Sequence, residues 1–358
     1  MSNLSDFGWT HKNQIAWDAM DAKGLQPARV VADFGTSLKV ATPKIITAEL
    51  SGKLAHYADR GDIPKVGDWV SVAVSDSNNA TVESVVLRSN EIARKVTGKQ
   101  TMKQIIATNV DIAFVLLALD NDFSIERLKR FLYQLSINAI EPVVILNKAD
   151  KTEDVQSYVS QLHSLAIPVI TAIATEGIGL EDIAARIAPA KTAILLGSSG
   201  VGKSTLTNSL LGRDAQVVGS VRESDSTGRH TTVHRELFIL PNGGILIDTP
   251  GIRELQLWGT EEELGANYHD ITEIASRCKY ANCRHTSEQG CAINAALASG
   301  LLDTKHYANY VRMKRELVEL AVKKVEKIRR SKRRKTNYDK SKQLDTYDLD
   351  EDIQSGRT

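Results

Sequence analysis

Long apolar runs are missing from this chain. None approaches the ~18 residues that suggest a membrane-crossing helix, and the opening MSNLSDFGWTHKNQ holds no apolar signal core. Both absences point to a soluble, cytoplasmic protein. Cysteine is nearly missing too, with 3 in 358 residues, all between Cys278 and Cys291. An odd number in a tight cluster speaks against disulfides and for a bound metal. An excess of either charge is also lacking: 45 Lys and Arg stand against 44 Asp and Glu, for a net charge of +1. That balance conceals a basic run followed by an acidic tail near the C-terminal end, so the distribution says more than the sum. A chain of 358 residues suits two or three domains, since one commonly takes ~100 to 200 residues.

What is present falls into blocks. Residues 1–26 carry Trp9 and Trp17 in a polar setting with a weak helical pattern, and read as an N-terminal arm. Residues 27–98 hold short β-rich runs, ARVVADFG, SLKVATP, KIITAELSG, GDWVSVAVSD and NATVESVVLR, separated by turn residues. Five such strands suit an OB-fold β-barrel, a fold whose face commonly binds oligonucleotides. Residues 99–258 alternate strand and helix, the pattern of an α/β domain with a parallel sheet.

Within that block, the buried strand Ala193 to Leu196 runs into GSSGVGKST and then resumes helical spacing. This is the order a Walker A phosphate loop requires. The segment comprises Gly197, Ser198, Ser199, Gly200, Val201, Gly202, Lys203, Ser204 and Thr205. Its glycines let backbone N–H groups turn toward phosphate, and the new helix offers unpaired N–H groups and a positive dipole end. Lys203 would reach the β- and γ-phosphates, and Ser204 would ligate Mg²⁺. Upstream, PVVILNKAD ends a strand in Asn147, Lys148, Ala149 and Asp150. The Asp150 carboxylate can accept both the ring N–H and the exocyclic amine of guanine, a pair adenine does not offer. Lys148 would lay its stem along the ring, and Asn147 would hold the base or the neighbouring loop. DIAFVLLALD and PVVILNKAD read as the first two strands of this block, and the third, IPVITA, ends at Thr171 and Ala172.

Downstream, GGILIDTPGIRE places Asp248 at a strand end to hold Mg²⁺ through water, with the Gly251 N–H toward a γ-phosphate. Thr232, or Thr231, supplies the loop hydroxyl that reaches Mg²⁺ only with the triphosphate. Ile252 stands where many GTPases carry the glutamine that orients the attacking water. His230, beside Arg229, is the nearest polar substitute, because a neutral imidazole can position water.

Cys278, Cys283, His285 and Cys291 form C-x4-C-x-H-x5-C, which suits one closed, tetrahedral structural Zn²⁺ in a small, mostly α-helical domain at 259–325. In the stretch Arg312 to Val325, a helix carries Met313, Leu317 and Leu320 on one face, an apolar stripe that reads as core. Residues 326–358 are a basic run, Lys327 to Lys335, suited to phosphate backbones, followed by an acidic stretch that reads as disordered.

The motifs run NKAD, TA, GSSGVGKST, GRHTT, DTPG. Ordinary Ras-like GTPases put the phosphate loop first and base recognition last, so this chain is circularly permuted. Permuted order, GRHTT loop, preceding barrel and cysteine–histidine motif together resemble the RsgA/YjeQ family, bacterial GTPases that assist late maturation of the small ribosomal subunit. The resemblance implies an OB-fold domain, a circularly permuted P-loop GTPase domain and a zinc-binding domain. It also implies hydrolysis of GTP to GDP stimulated by the 30S subunit, contact with 16S rRNA as a monomer, and His230 as the catalytic residue beside Lys203. Thr171 stands where the family's commoner form has serine. Two other readings compete: a GTPase regulating translation on mature ribosomes, and a zinc-containing RNA-binding module with nucleotide as a structural ligand.

Overall fold

Runs rich in valine, isoleucine and alternating small residues form strands where turn residues bound them. Thirteen occur among the described residues: β1 (Gln26–Asp33), β2 (Leu38–Ala41), β3 (Ile45–Leu50), β4 (Trp69–Val74), β5 (Asn79–Val85), β6 (Glu91–Lys95), β7 (Lys103–Thr108), β8 (Ile112–Ala118), β9 (Glu141–Asn147), β10 (Val169–Thr171), β11 (Thr192–Leu196), β12 (Arg235–Ile239) and β13 (Ile245–Asp248). The computed structural model describes residues 3–57, 63–95, 103–120, 123–212, 235–249, 257–326 and 329. They divide into two compact units, one running to Trp258 and the other from Gly259 onward.

The first five strands close on themselves in the order β1-β2-β3-β5-β4, with β4 returning to β1. Only the β3–β5 pair in this ring is parallel, and the helix Gly52–Tyr57 follows β3. This is the OB barrel that the five β-rich runs predict. Closure removes the exposed edges that an open five-stranded sheet would present.

β1 does not stop at the barrel. Gln26 to Arg29 pair with β4, a bulge follows between Val30 and Ala32, and Ala32 and Asp33 then pair with Glu236 and Arg235 of β12. Through this junction the barrel continues into a second stretch of sheet, ordered β12-β13-β11-β8-β9-β10. From β13 onward that stretch is parallel; β12 alone runs antiparallel to its neighbour. Side chains on β8 alternate between two buried clusters: Val115 and Leu117 face one, Phe114 and Leu116 the other. Burial on both faces explains why its sequence is an unbroken apolar run rather than an alternation. The chain leaves β8 for β9 and β10, then returns to β11 on β8's other side. Strand order therefore reverses between β8 and β11, where open α/β sheets hold ligands at the C-terminal ends of their strands.

The arm belongs to the first unit. Phe7 is buried in its core, and Trp9 stacks edge-on against both Trp17 and Trp69.

The second unit is helical, with Glu261–Asn267, His269–Ser276, Ala292–Ala298 and a long helix over 304–326. Thr260 opens it with a capping box: its hydroxyl accepts from Glu263 N, and the Glu263 carboxylate accepts from Thr260 N. Met313, Leu317 and Leu320 are buried with Leu264, Ile271 and Ile293, so the stripe on the last helix is core.

Arg29, on β1, is almost wholly buried. Its Nη1 donates to Phe7 O of the arm, its Nε to Gly67 O of the barrel at 3.4 Å, and its Nη2 to Asn109 O at 3.3 Å and to Thr192 Oγ1 on β11 at 2.9 Å. The guanidinium also lies 5.3 Å from the centroid of the Trp69 ring. Burial pulls its pKa down to about 10 against the attraction of Asp111 and Asp68, so it remains a cation at neutral pH. One side chain thus satisfies acceptors from the arm, the barrel and the parallel sheet. Arg29→Ala should lower unfolding free energy by about 3 to 5 kcal/mol in a denaturant titration, because it orphans acceptors on four segments. Arg29→Lys should recover little, since an ammonium cannot fork in these directions. An alanine variant as stable as the parent would contradict this role.

Candidate nucleotide site and metal centre

β11 delivers the chain into the segment 197–205 at the strand-order reversal. Gly197 has φ +146°, and a Cβ there would lie 2.7 Å from Leu116 O on β8. Gly202 has φ +99°, and a Cβ there would meet Asn147 Nδ2 at 2.3 Å. Both positions need glycine for conformation and for close approach. The helix Lys203–Leu211 begins directly afterwards, with Ser199, Gly200, Ser204 and Thr205 exposed and Val201 buried. Lys203 is buried, and its Nζ donates to Gly197 O at 2.8 Å and to Ser198 O at 2.5 Å. A cation is thereby held within a turn whose N–H groups and helix start already favour anions.

Asn147, at the end of β9, is buried between two loops. Its Nδ2 donates to Val201 O of the phosphate loop at 2.8 Å, and its Oδ1 accepts from Ala174 N at 3.2 Å. Of the two uses the sequence leaves open for it, the contact seen is with neighbouring loops. Lys148 adopts φ +59° and donates to Asp120 Oδ2 at 2.8 Å. Ala149 N donates to Ala172 O, and Ala172 N to Leu146 O, which ties the end of β9 to the Thr171–Ala172 turn. Asp150 is exposed and pairs with Lys151 at 2.8 Å. Hydrogen bonding from Lys151 holds its carboxyl below the usual range, leaving it an acceptor at neutral pH. Asp248 closes β13 beside β11, and the Thr249 hydroxyl locks that end by donating to Leu195 O at 3.1 Å. Phosphate loop, base loop and Asp248 thus share one edge of one sheet. Arg229, His230, Thr231, Thr232, Gly251 and Ile252 lie outside the described residues.

In the second unit, the ligand atoms of Cys278, Cys283, His285 and Cys291 lie within 4.8 Å of one another. His285 Nδ1 is 3.6 Å from Cys278 Sγ and 3.5 Å from Cys291 Sγ. Ligands at ordinary Zn–S and Zn–N lengths on a tetrahedron sit about 3.6 Å apart, so this donor set fits a zinc-sized ion. Amide N–H groups of Ala292 and Asn294 point at Cys278 Sγ and Cys291 Sγ, an arrangement that favours thiolates. Burial pushes the Cys278 thiol up, yet amides from Ala292 and Ile293 help bring it below the ordinary range. Glu288 fastens the loop that presents His285: its carboxylate accepts from the amides of Arg284, Thr286 and Ser287. These bonds, that from Arg284 foremost, hold its pKa down at about 2 against an ordinary 4.5. The fastening is therefore complete above the ordinary value and is lost as pH falls from there through about 2.

A sequence model of the RsgA GTPase family matches residues 85–258. Beyond those limits, the small ribosomal subunit biogenesis GTPase RsgA of Opitutus terrae is 37% identical over 327 residues, covering 87% of this chain and 89% of that one. The chain belongs to the RsgA GTPase family. RsgA 1 of Oceanobacillus iheyensis is 40% identical over 293 residues, 80% of this chain and 84% of its own. Among solved structures, YloQ, described as a circularly permuted GTPase, aligns at TM-score 0.56 and 26% identity over 84% of this chain and 97% of that one. YjeQ from Thermotoga maritima aligns at TM-score 0.60 over 82% and 99% of the two chains, and at 24% identity it speaks for the fold alone. The chain is accordingly a GTPase, and the strand order above is the circularly permuted arrangement that the motif order predicts.

For this RsgA-family GTPase, motif reading passes over Arg29, Glu288 and Arg127. Arg127 donates from Nη1 to Ser198 Oγ of the phosphate loop at 2.6 Å. One signal was available for it: a basic residue in the first turn of a helix opposes the helix dipole and so calls for a partner.

Two outcomes follow from the geometry. Asp150→Asn should weaken GTP binding on the order of 10²-fold or more, by losing two hydrogen bonds to a charged acceptor, and should favour xanthosine nucleotides; a competition titration in which GTP preference persists would remove Asp150 from base recognition. Stripping metal with a strong chelator should release one ion per chain and abolish amide-exchange protection over residues 277–291. Full protection after metal loss would show that the loop holds itself.

Proposed function

We propose that this chain is a ribosome-stimulated GTPase that binds the 30S subunit through 16S rRNA, assists late small-subunit maturation, and leaves after hydrolysing GTP to GDP. The observation that most supports the reading is the span of the relatives. Proteins named small ribosomal subunit biogenesis GTPase match 87% and 80% of this chain, well beyond the nucleotide-binding sheet alone. The accompanying division is an arm (1–26), an OB-fold domain (27–98), a permuted GTPase domain (99–258), a zinc-binding domain (259–325) and a tail (326–358). The protein acts as a cytoplasmic monomer. No helix among the described residues is long and apolar enough to cross a membrane.

Chemically, phosphoryl transfer to water needs positioning and charge neutralisation more than covalent help. Lys203, held by loop carbonyls, places its ammonium where β- and γ-phosphate oxygens gather charge. Asp150 selects guanine and Lys148 lines the base. Ser204, Thr232 and Asp248 offer hydroxyl and carboxylate oxygens, a hard donor set that fits Mg²⁺, which neutralises phosphate charge when bound. With isoleucine in the place of the usual glutamine, His230 positions the attacking water, and Gly251 N–H meets the γ-phosphate. One structural Zn²⁺ on Cys278, Cys283, His285 and Cys291 stands in for the core that so short a segment cannot build.

GTP turnover measured alone, with purified 30S subunits and with 70S ribosomes tests the reading. Stimulation by 30S above that by 70S is expected. Equal stimulation by both would point to translation control, and no turnover to an RNA-binding module that holds nucleotide structurally. His230→Ala should cost about 10²-fold in stimulated turnover while leaving nucleotide affinity in place; unchanged stimulated turnover would exclude His230 from the mechanism.

A further inference from the structure

We propose that Arg127 is a positioning residue for the phosphate loop: by holding the Ser198 side chain it fixes the carbonyls that aim the Lys203 ammonium. The inference rests on segment 197–205 being the nucleotide's phosphate site. Arg127 is the third residue of the helix Ile125–Ser136, whose N-cap Ser124 accepts from Arg127 N. A cation in a first turn faces the positive end of the helix dipole, so this position disfavours arginine unless something outside the helix rewards it. The reward is visible, since Nη1 donates to Ser198 Oγ at 2.6 Å, a short charge-assisted bond to a residue only 7% exposed.

Ser198 is thereby gripped at two places. Its hydroxyl receives the guanidinium, and its carbonyl, together with that of Gly197, receives Lys203 Nζ. Rotation of this residue would swing one of the two carbonyls that hold the ammonium. Arg127 opposes that rotation through its bond to the hydroxyl. The helix that carries it is well anchored. Leu128, Phe131 and Leu135 are buried in the core. Gln134, seven residues on and hence on the same helical face, is buried and donates Nε2 to Trp258 O at 2.9 Å. One helical face therefore grips the phosphate loop near its start and, two turns later, the chain that follows the DTPG segment. A loop set before nucleotide arrives avoids part of the ordering cost of binding.

The test uses the full chain and equilibrium titration with fluorescent GDP and a non-hydrolysable GTP analogue, for Arg127→Ala, Arg127→Lys, Ser198→Ala and the double Arg127→Ala/Ser198→Ala. Each alanine variant should weaken both nucleotides by about 10-fold to 10²-fold, the worth of one charge-assisted hydrogen bond. The double variant should be no weaker than the weaker single, because both remove the same bond. Arg127→Lys should recover part of the affinity, as an ammonium can still donate to the hydroxyl; a merely structural arginine would give neither the coupling nor the rescue. If Arg127→Ala fails to fold, Ser198→Ala, which removes one hydroxyl, carries the test alone. Parental affinity in Ser198→Ala, or additive losses in the double variant, would overturn the proposal. Absence of guanine nucleotide binding by the parent would instead overturn the phosphate-site assignment.

Discussion

Strand β1 belongs to two structures at once, and the first unit depends on that sharing. Its first half closes the barrel against β4, while its last two residues pair with β12 of the nucleotide-binding sheet. The bulge between Val30 and Ala32 accommodates both, since an extra residue bends the strand and increases its twist. Two ladder positions alone would be a weak joint. Arg29 strengthens it, with a buried cation whose donors reach the arm, the barrel, the loop before β8 and the start of β11. Removing such a cation costs more than its own bonds, because the acceptors it leaves cannot recover water. Barrel and nucleotide sheet are consequently joined by backbone pairing and by a side chain that each side needs satisfied.

The same junction bears on function. β12 follows directly on the stretch that holds the GRHTT motif, and its first residues are those that pair with the barrel. The start of β12 is thus joined to the barrel by backbone pairing rather than by a linker. At the other end of the site, Asn147 joins the phosphate loop to the base loop. Circular permutation leaves these spatial relations intact because it changes only where the chain is cut.

Local features were legible in sequence. The glycine-rich segment 197–205, NKAD and the cysteine–histidine cluster are short, and each spacing reports a geometry the chain must adopt nearby. The five barrel strands were readable for the same reason, and so was the buried stripe of Met313, Leu317 and Leu320. What could not be read joins distant segments. Asp33 and Arg235 meet across some two hundred residues, and nothing in either run marks it for the other. Arg29 sits in a run that reads as ordinary β-strand, with no sign that its side chain turns inward. The arm's pattern is weak because its two tryptophans pack on each other, and Trp9 on Trp69, rather than along a regular helical face. The sequence pattern singles out Lys203, but not the partners it has here, the carbonyls of Gly197 and Ser198.

The central claim is that barrel and nucleotide sheet form one cooperative structure through β1. Native-state hydrogen exchange of the full chain, with and without GDP, tests it most directly. If the claim holds, amides of β1, β2 and β4 exchange through the same opening as those of β8, β9 and β11, and GDP slows both sets by the same factor. Barrel amides that open at lower free energy and ignore GDP, while the sheet responds, would contradict it.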